Sequence, residues 1–381
     1  MCVSKKKPKP KKAEPQKAEP QKAAPEKAEP QEAELEKPDP PKNTKSQAQP
    51  VSSPIIEVPP QMPAQVFSFK DCKNHHRREK SLRWFVESLN TGVDGERKAT
   101  SMDKEKNRNP DYPCLEDKRV VLKFPGVTSD YIHANYYGTS LTPERLICTQ
   151  TPLENTVYDF WAMIIQENVT NVLMLGSFDE PSAKGEKKSV RYFPENEGME
   201  STFGTAPNVI SCPHEFVKGV KTRQLEVSWG DHEKRDLLHW QCEIWPDHGV
   251  LKDWNAVFRI IPASFSYNNP VVVHSAKGQG RAGTYALMVA MFEAWGWKLD
   301  VDVIQFFKKL RRIRPYAVEN ELQYLFVHRF LFIQILRICR NFVLPDAGAE
   351  RLKEWIARYD CVMKTAKYVK KEKVYSEISQ I

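Results

Sequence analysis

Val271-Val272-Val273-His274-Ser275-Ala276-Lys277-Gly278-Gln279-Gly280-Arg281-Ala282-Gly283-Thr284 is the stretch that decides the fold. Three β-branched residues favour a strand. Two glycines then open a loop, and from Gly283 to Gly296 the pattern reads as a buried helix. A loop of this build sets a row of backbone N–H groups at a helix N-terminus, which is a ready anion site. Arg281 adds a planar, two-pronged donor suited to a phosphate or carboxylate. A glycine pattern alone is weak evidence. Strand, loop, arginine and helix in that order are much more specific, and they nominate Ala276, Lys277, Gly278, Gln279, Gly280 and Arg281 as anion-binding residues.

On either side, short apolar strands alternate with helical patterns. Strands are expected at Arg119 to Leu122, Tyr131-Ile132, Arg145 to Thr149, Asn171 to Leu175, Val190 to Phe193, Leu225 to Ser228 and Leu237 to Cys242. Helices are expected at Ser81 to Leu89, Val157 to Glu167, Trp254 to Phe265, Val301 to Arg312 and Glu321 to Arg340. A last helix, Ala349 to Lys367, carries Leu352, Trp355, Ile356 and Tyr359 on one face. The mixture predicts an α/β (α+β) domain, a twisted mixed β-sheet flanked by helices.

Residues 1–65 are a different material. Lys-Ala-Glu-Pro-Gln recurs from Lys12, and frequent proline forbids a continuous helix. Little apolar surface is available to bury, so a disordered tail is expected. The domain then runs over 66–345, and 346–381 holds the last helix and a short tail. The 381-residue chain is 40% hydrophobic, enough for a sizeable core, and its net charge is +8. Tail lysines supply part of that excess, so no nucleic-acid partner is expected. There is no membrane span, no secretory h-region, and Cys2 stands where N-myristoylation needs glycine. Eight cysteines without CxxC spacing read as reduced thiols, which suits a soluble cytoplasmic protein without metal or cofactor.

Further segments carry a family pattern. They are Lys106-Asn107-Arg108-Asn109 with Asp111, Asp130 to Tyr136, Thr149 to Leu153, Phe160-Trp161, Tyr192-Phe193-Pro194, Leu238-His239-Trp240 and Trp245-Pro246-Asp247-His248-Gly249-Val250. With the glycine-rich loop, and over roughly Phe67 to Leu344, they resemble the phosphotyrosine-specific protein-tyrosine phosphatases. The resemblance implies that Asp247 is the general acid on a loop that closes over the substrate. It places Lys188 at the pocket rim, Gln323 on one of the family's two glutamines, and Asn109 with Asp111 in the segment that recognises phosphotyrosine.

Departures from the family cluster at the chemistry. Ser275 stands at the nucleophilic cysteine, six places before the arginine. A thiol beside a helix N-terminus and an arginine is a thiolate at neutral pH, whereas an alcohol needs an adjacent base. Asn109 replaces the tyrosine that stacks on the substrate ring, and Ala282 replaces a hydroxyl. Glu319 replaces the water-positioning glutamine, and an ionised carboxylate there would repel a phosphate dianion. Ala183 falls where the family keeps the glutamate that braces the loop arginine. An engineered cysteine-to-serine trap would leave the neighbours family-like, so these changes read as a natural loss of catalysis. The expectation is an inactive family member, a pseudophosphatase in phosphotyrosine signalling that binds a phosphorylated protein or peptide or acts as a scaffold. The rival expectation is an active or weakly active phosphatase working through water or Ser275 with Asp247 as acid.

Overall fold

The computed structural model describes residues 104–338 and 346–365, apart from 110, 111, 113, 182–188, 204–207, 218, 231, 232, 266–268 and 300. The expected tail over 1–65 and the helix Ser81 to Leu89 lie outside the described residues.

Nine strands among the described residues make one sheet: β1 (Arg119–Val121), β2 (Tyr131–Tyr137), β3 (Leu146–Gln150), β4 (Asn171–Leu175), β5 (Glu200–Thr202), β6 (Asn208–Val217), β7 (Val220–Trp229), β8 (Glu233–Cys242) and β9 (Val271–Ser275). Their order is β1-β2-β3-β9-β4-β8-β7-β6-β5. The neighbours from β3 through β9 and β4 to β8 are parallel, and the outer pairs are antiparallel. The glycine-rich loop therefore leaves the carboxyl end of a central parallel strand, where open α/β sheets place their ligands.

The valine run explains that central position. Val271 and Val273 point into one apolar cluster and Val272 into the other. Successive strand residues face opposite sides, so a strand covered on both must be apolar throughout. One face is covered by α1 (Val157–Gln166), whose Phe160, Trp161, Ile164 and Ile165 are buried. The other is covered by α2 (Trp254–Ile260), α3 (Gly280–Gly296), α4 (Val303–Ile313) and α5 (Glu321–Ile338), with α6 (Asp346–Thr365) contributing Tyr359. Asp253 and Asp302 start α2 and α4 by accepting backbone N–H groups at 2.8 Å from Asn255 and Ile304. No helix among the described residues is long and apolar enough to cross a membrane.

The expected strand at Val190 to Phe193 does not form: these residues run as irregular chain. Tyr192 and Phe193 are apolar because their rings fill the core beside Phe160, Phe178 and His239, not because their backbone joins a ladder. Conversely, β5 and β6, with the extensions of β7 and β8, were not anticipated. Their polar outward positions dilute the apolar signal on a partly solvated antiparallel flank.

Candidate functional site

The loop after β9 folds as a closed cradle. Gly278 donates its N–H to the Ser275 carbonyl (3.0 Å), and its φ of +69° is a conformation that glycine adopts without strain. A side chain there would also strike the Thr149 carbonyl. Beneath the loop lies Arg314, fully buried, with Nε on the Gly278 carbonyl and Nη2 on the Lys277 carbonyl (3.3 Å). Asn135 Oδ1 (2.9 Å) and His133 Nδ1 (3.1 Å) anchor its other contacts. Arg314 thus draws the loop carbonyls downward. The first N–H groups of α3 lack intrahelical partners, as at any helix start. Gln279, expected in the cradle, is buried there and its Nε2 has no partner among the described residues.

Arg281 is 2% exposed and points across the cradle. Its two terminal nitrogens hold Glu180 in a fork, Nη1 to Oε1 at 2.5 Å and Nη2 to Oε2 at 2.6 Å. Burial opposes its charge, but the Glu180 bonds and nearby carboxylates raise its pKa above the ordinary arginine value. This corrects the expectation about Ala183. The brace is present, three residues earlier, and Ala183 lies outside the described residues. Glu180 follows Gly176, whose φ of +135° sharply turns the chain out of β4, and a side chain at Gly176 would collide with Arg281 and Glu180.

Ser275 is 3% exposed at the floor. Its neighbour His274 is not available as a base. His274 Nδ1 meets Thr151 Oγ1 at 3.0 Å and Nε2 meets the Tyr192 hydroxyl at 2.7 Å. The same hydroxyl meets His239 Nε2 at 2.7 Å. Burial, reinforced by Arg108 and then Arg281, holds the His274 pKa down at about 3, so the ring is neutral. Among the described residues, no imidazole or carboxylate hydrogen-bonds the Ser275 hydroxyl.

The segment Trp245 to Gly249, expected to be the acid loop, reaches Arg281. Arg281 Nη1 donates to the Trp245 carbonyl (3.1 Å), and Asp247 Oδ1 is 3.2 Å from Nη2. Asp247 is half exposed. His248, at φ +56°, reaches Glu319 Oε2 with Nδ1 (2.8 Å) and Asp247 Oδ2 with Nε2 (3.3 Å). Gln323 accepts the Glu319 N–H at 2.8 Å. Lys277 lies with its ammonium 5.6 Å from the ring centre of Tyr112, which packs edge-on against Tyr316 at 4.8 Å. Tyr112 therefore flanks the cradle, a placement that sequence reasoning did not assign. Asn109 sits in the turn leading to it, its carbonyl accepting the Tyr112 N–H (3.2 Å). Asp111 and Lys188 lie outside the described residues.

A family model for the protein-tyrosine phosphatases, matching residues 103–332, covers more than half of the chain and includes the cradle and acid loop. The chain belongs to the protein-tyrosine phosphatase family. Among curated phosphatases it is similar to a tyrosine-protein phosphatase Lar-like protein of Caenorhabditis elegans, 32% identical over 253 residues, covering 64% of this chain and 11% of the relative. Human receptor-type tyrosine-protein phosphatase C is 32% identical over 237 residues, covering 59% of this chain and 18% of the relative. The chain thus spans less than a fifth of the length of these relatives. Its phosphatase fold matches the catalytic domain of human protein tyrosine phosphatase non-receptor type 18 with a TM-score of 0.60 at 24% identity, covering 68% of this chain and 98% of that one. A further matching structure holds that phosphatase in complex with HER2 phosphopeptides, again at TM-score 0.60 and 24% identity, covering 68% of this chain and 93% of that one.

Proposed function

We infer that this protein is a pseudophosphatase. It binds phosphorylated protein, of the phosphotyrosine class, in the Arg281 cradle and does not turn it over efficiently. The observation that carries this reading is Ser275 on the floor of the cradle with the adjacent imidazole of His274 buried and bonded to Thr151 and Tyr192. A neutral hydroxyl without a base is a poor nucleophile for phosphorus. The positive groups that would attract a phosphate are the Arg281 guanidinium, braced by Glu180, the loop N–H groups and the Lys277 ammonium. Tyr112 beside Lys277 offers the aromatic wall that Asn109 cannot supply. Scattered free thiols, Cys114, Cys148 and Cys242 buried among them, suit a reducing compartment.

Calorimetry with phosphotyrosine peptides tests the reading. Micromolar binding that Arg281→Ala abolishes is expected, together with negligible turnover of an aryl phosphate by the unaltered protein. Absence of binding across a peptide panel would remove the binding role, and rapid turnover would remove the pseudophosphatase. Slow hydrolysis with Asp247 as acid is the competing reading, favoured by Asp247 lying 3.2 Å from Arg281. Residual turnover that disappears in Asp247→Ala would select it. Ser275→Cys measures how much of the deficit belongs to the nucleophile alone.

A further inference from the structure

Glu319 occupies an awkward place for an anion site. The position that a Cβ would take on Gly280, in the cradle itself, lies 2.8 Å from Glu319 Oε2 and 3.1 Å from Gln323 Nε2. A bare carboxylate there would face any oxyanion held by Arg281. The structure answers with His248, whose Nδ1 is 2.8 Å from the same oxygen. The two residues come from different segments. His248 belongs to the acid loop, whereas Glu319 belongs to a turn in which Tyr316 and Val318 both have positive φ, +62° and +57°. A buried β-branched residue in the left-handed region is costly and must be over-determined by its surroundings. Arg311 supplies that constraint by gripping the Ala317 and Val318 carbonyls, and the Val318 N–H donates to the Gln279 carbonyl (3.2 Å). The turn is therefore a fixed platform. Two more bonds tie the acid loop to it: Asn320 Nδ2 to the His248 carbonyl (2.8 Å) and Gln323 Nε2 to the Gly249 carbonyl (3.5 Å).

We propose that Glu319 and His248 are positioning residues that decide when the cradle accepts an oxyanion: paired, they close the acid loop and cancel the carboxylate beside Gly280, and unpaired, they leave that carboxylate to repel the ligand. This rests on the oxyanion-binding reading above. The groups facing His248 are Glu319 from the platform turn, Asp247 from its own loop and Lys277 from the cradle, with Arg281 behind Asp247. The Glu319 hydrogen bond raises the His248 pKa, against burial, and Asp247 adds to the rise while Lys277 opposes it. His248 is thus protonated at mildly acid pH, and the pairing weakens as pH rises above the ordinary histidine value.

Tungstate kept at micromolar concentration is a suitable probe, because it then stays a monomeric dianion across this range. Calorimetric affinity of the unaltered protein falls at least about tenfold between about pH 6 and about pH 8.5, the range in which a raised histidine loses its proton. Glu319→Gln, which returns the family's amide, flattens that profile and binds at least about tenfold tighter at the upper pH, a gain of about 1.4 kcal/mol. His248→Asn binds weakly at both pH values, and asparagine tolerates the positive φ at that position, which circular dichroism verifies as a folded variant. Parallel profiles for the unaltered protein and Glu319→Gln overturn the proposal and leave the binding reading intact. Failure of both proteins to take up tungstate at either pH overturns the binding reading as well.

Discussion

The floor of the pocket, Ser275 to Arg281, and its rim, Trp245 to Gly249 with Tyr316 to Gln323, are held by different means. On the floor, the loop is shaped by backbone: a left-handed Gly278, a central strand buried on both faces, and Arg314 pulling two carbonyls beneath it. The rim is held largely by side-chain ions and amides, Asp247, His248, Glu319, Asn320 and Gln323, several of them half exposed. A backbone-shaped floor keeps its form whatever side chain stands at position 275, because Ser275 enters it through its carbonyl, which accepts the Gly278 and Thr151 N–H groups. A rim built from charges changes its behaviour with each substitution. Loss of catalysis and retention of shape can therefore occur in one pocket.

Removing the ion that joins the two regions has the largest expected effect. Arg281→Ala deletes charge-assisted bonds worth about 1.5–3 kcal/mol each and frees Glu180 beside the cradle, so oxyanion affinity drops at least about 100-fold by calorimetry. Breaking the floor alone is next. Arg314→Met takes the buried guanidinium donors away from the Gly278 carbonyl, Asn135 Oδ1 and His133 Nδ1, which lowers stability by about 3 kcal/mol or more in urea unfolding. An equal loss of affinity and stability in both variants would erase the distinction between floor and rim.

Acid tests the floor from another direction. His133 and His274 have pKa values held near 3, and His328 near 4, by burial first. Unfolded, each would take up a proton below about 6.5, and folded it does not until the lower value is reached. Stability is therefore unaffected by these rings above that pH and declines as pH falls toward 3, by about 1.4 kcal/mol per unit for each. Tyr192→Phe removes the hydroxyl between His274 and His239 and costs about 1–3 kcal/mol for the polar groups it strands. Smallest is the rim aromatic. Tyr112→Ala gives up a contact worth about 0.5–1 kcal/mol at a partly buried site, a loss of phosphopeptide affinity of about two- to fivefold. An effect of Tyr112 rivalling that of Arg281 would move recognition from the floor to the rim.

Much of the floor was legible before folding. The valine run, the loop glycines and Arg281 sit within a few residues of one another, and local backbone rules act at that range. The segment Trp245 to Val250 read locally only as a Pro-Asp turn, and its expected role as the acid loop came from the family resemblance. The brace was not legible. Glu180 lies 101 residues from Arg281, and nothing in its own neighbourhood marks it, so the expectation settled on Ala183 instead. Arg314 and Tyr112 carry no local signal for their places beneath and beside the loop, which come from remote contacts. The apolar run at Val190 to Phe193 misled because core rings and strand residues share a composition.

By itself, the sequence determined the strand, loop and helix of the cradle and the serine that follows its strand, since each depends on chain conformation over a few consecutive residues. Only the tertiary structure decided which carboxylate braces Arg281, that His274 is spent on Thr151 and Tyr192, and that Glu319 meets His248 and not open solvent. Those outcomes depend on distances between remote segments, and charge pairing is fixed by where the packed core brings side chains, not by their order along the chain.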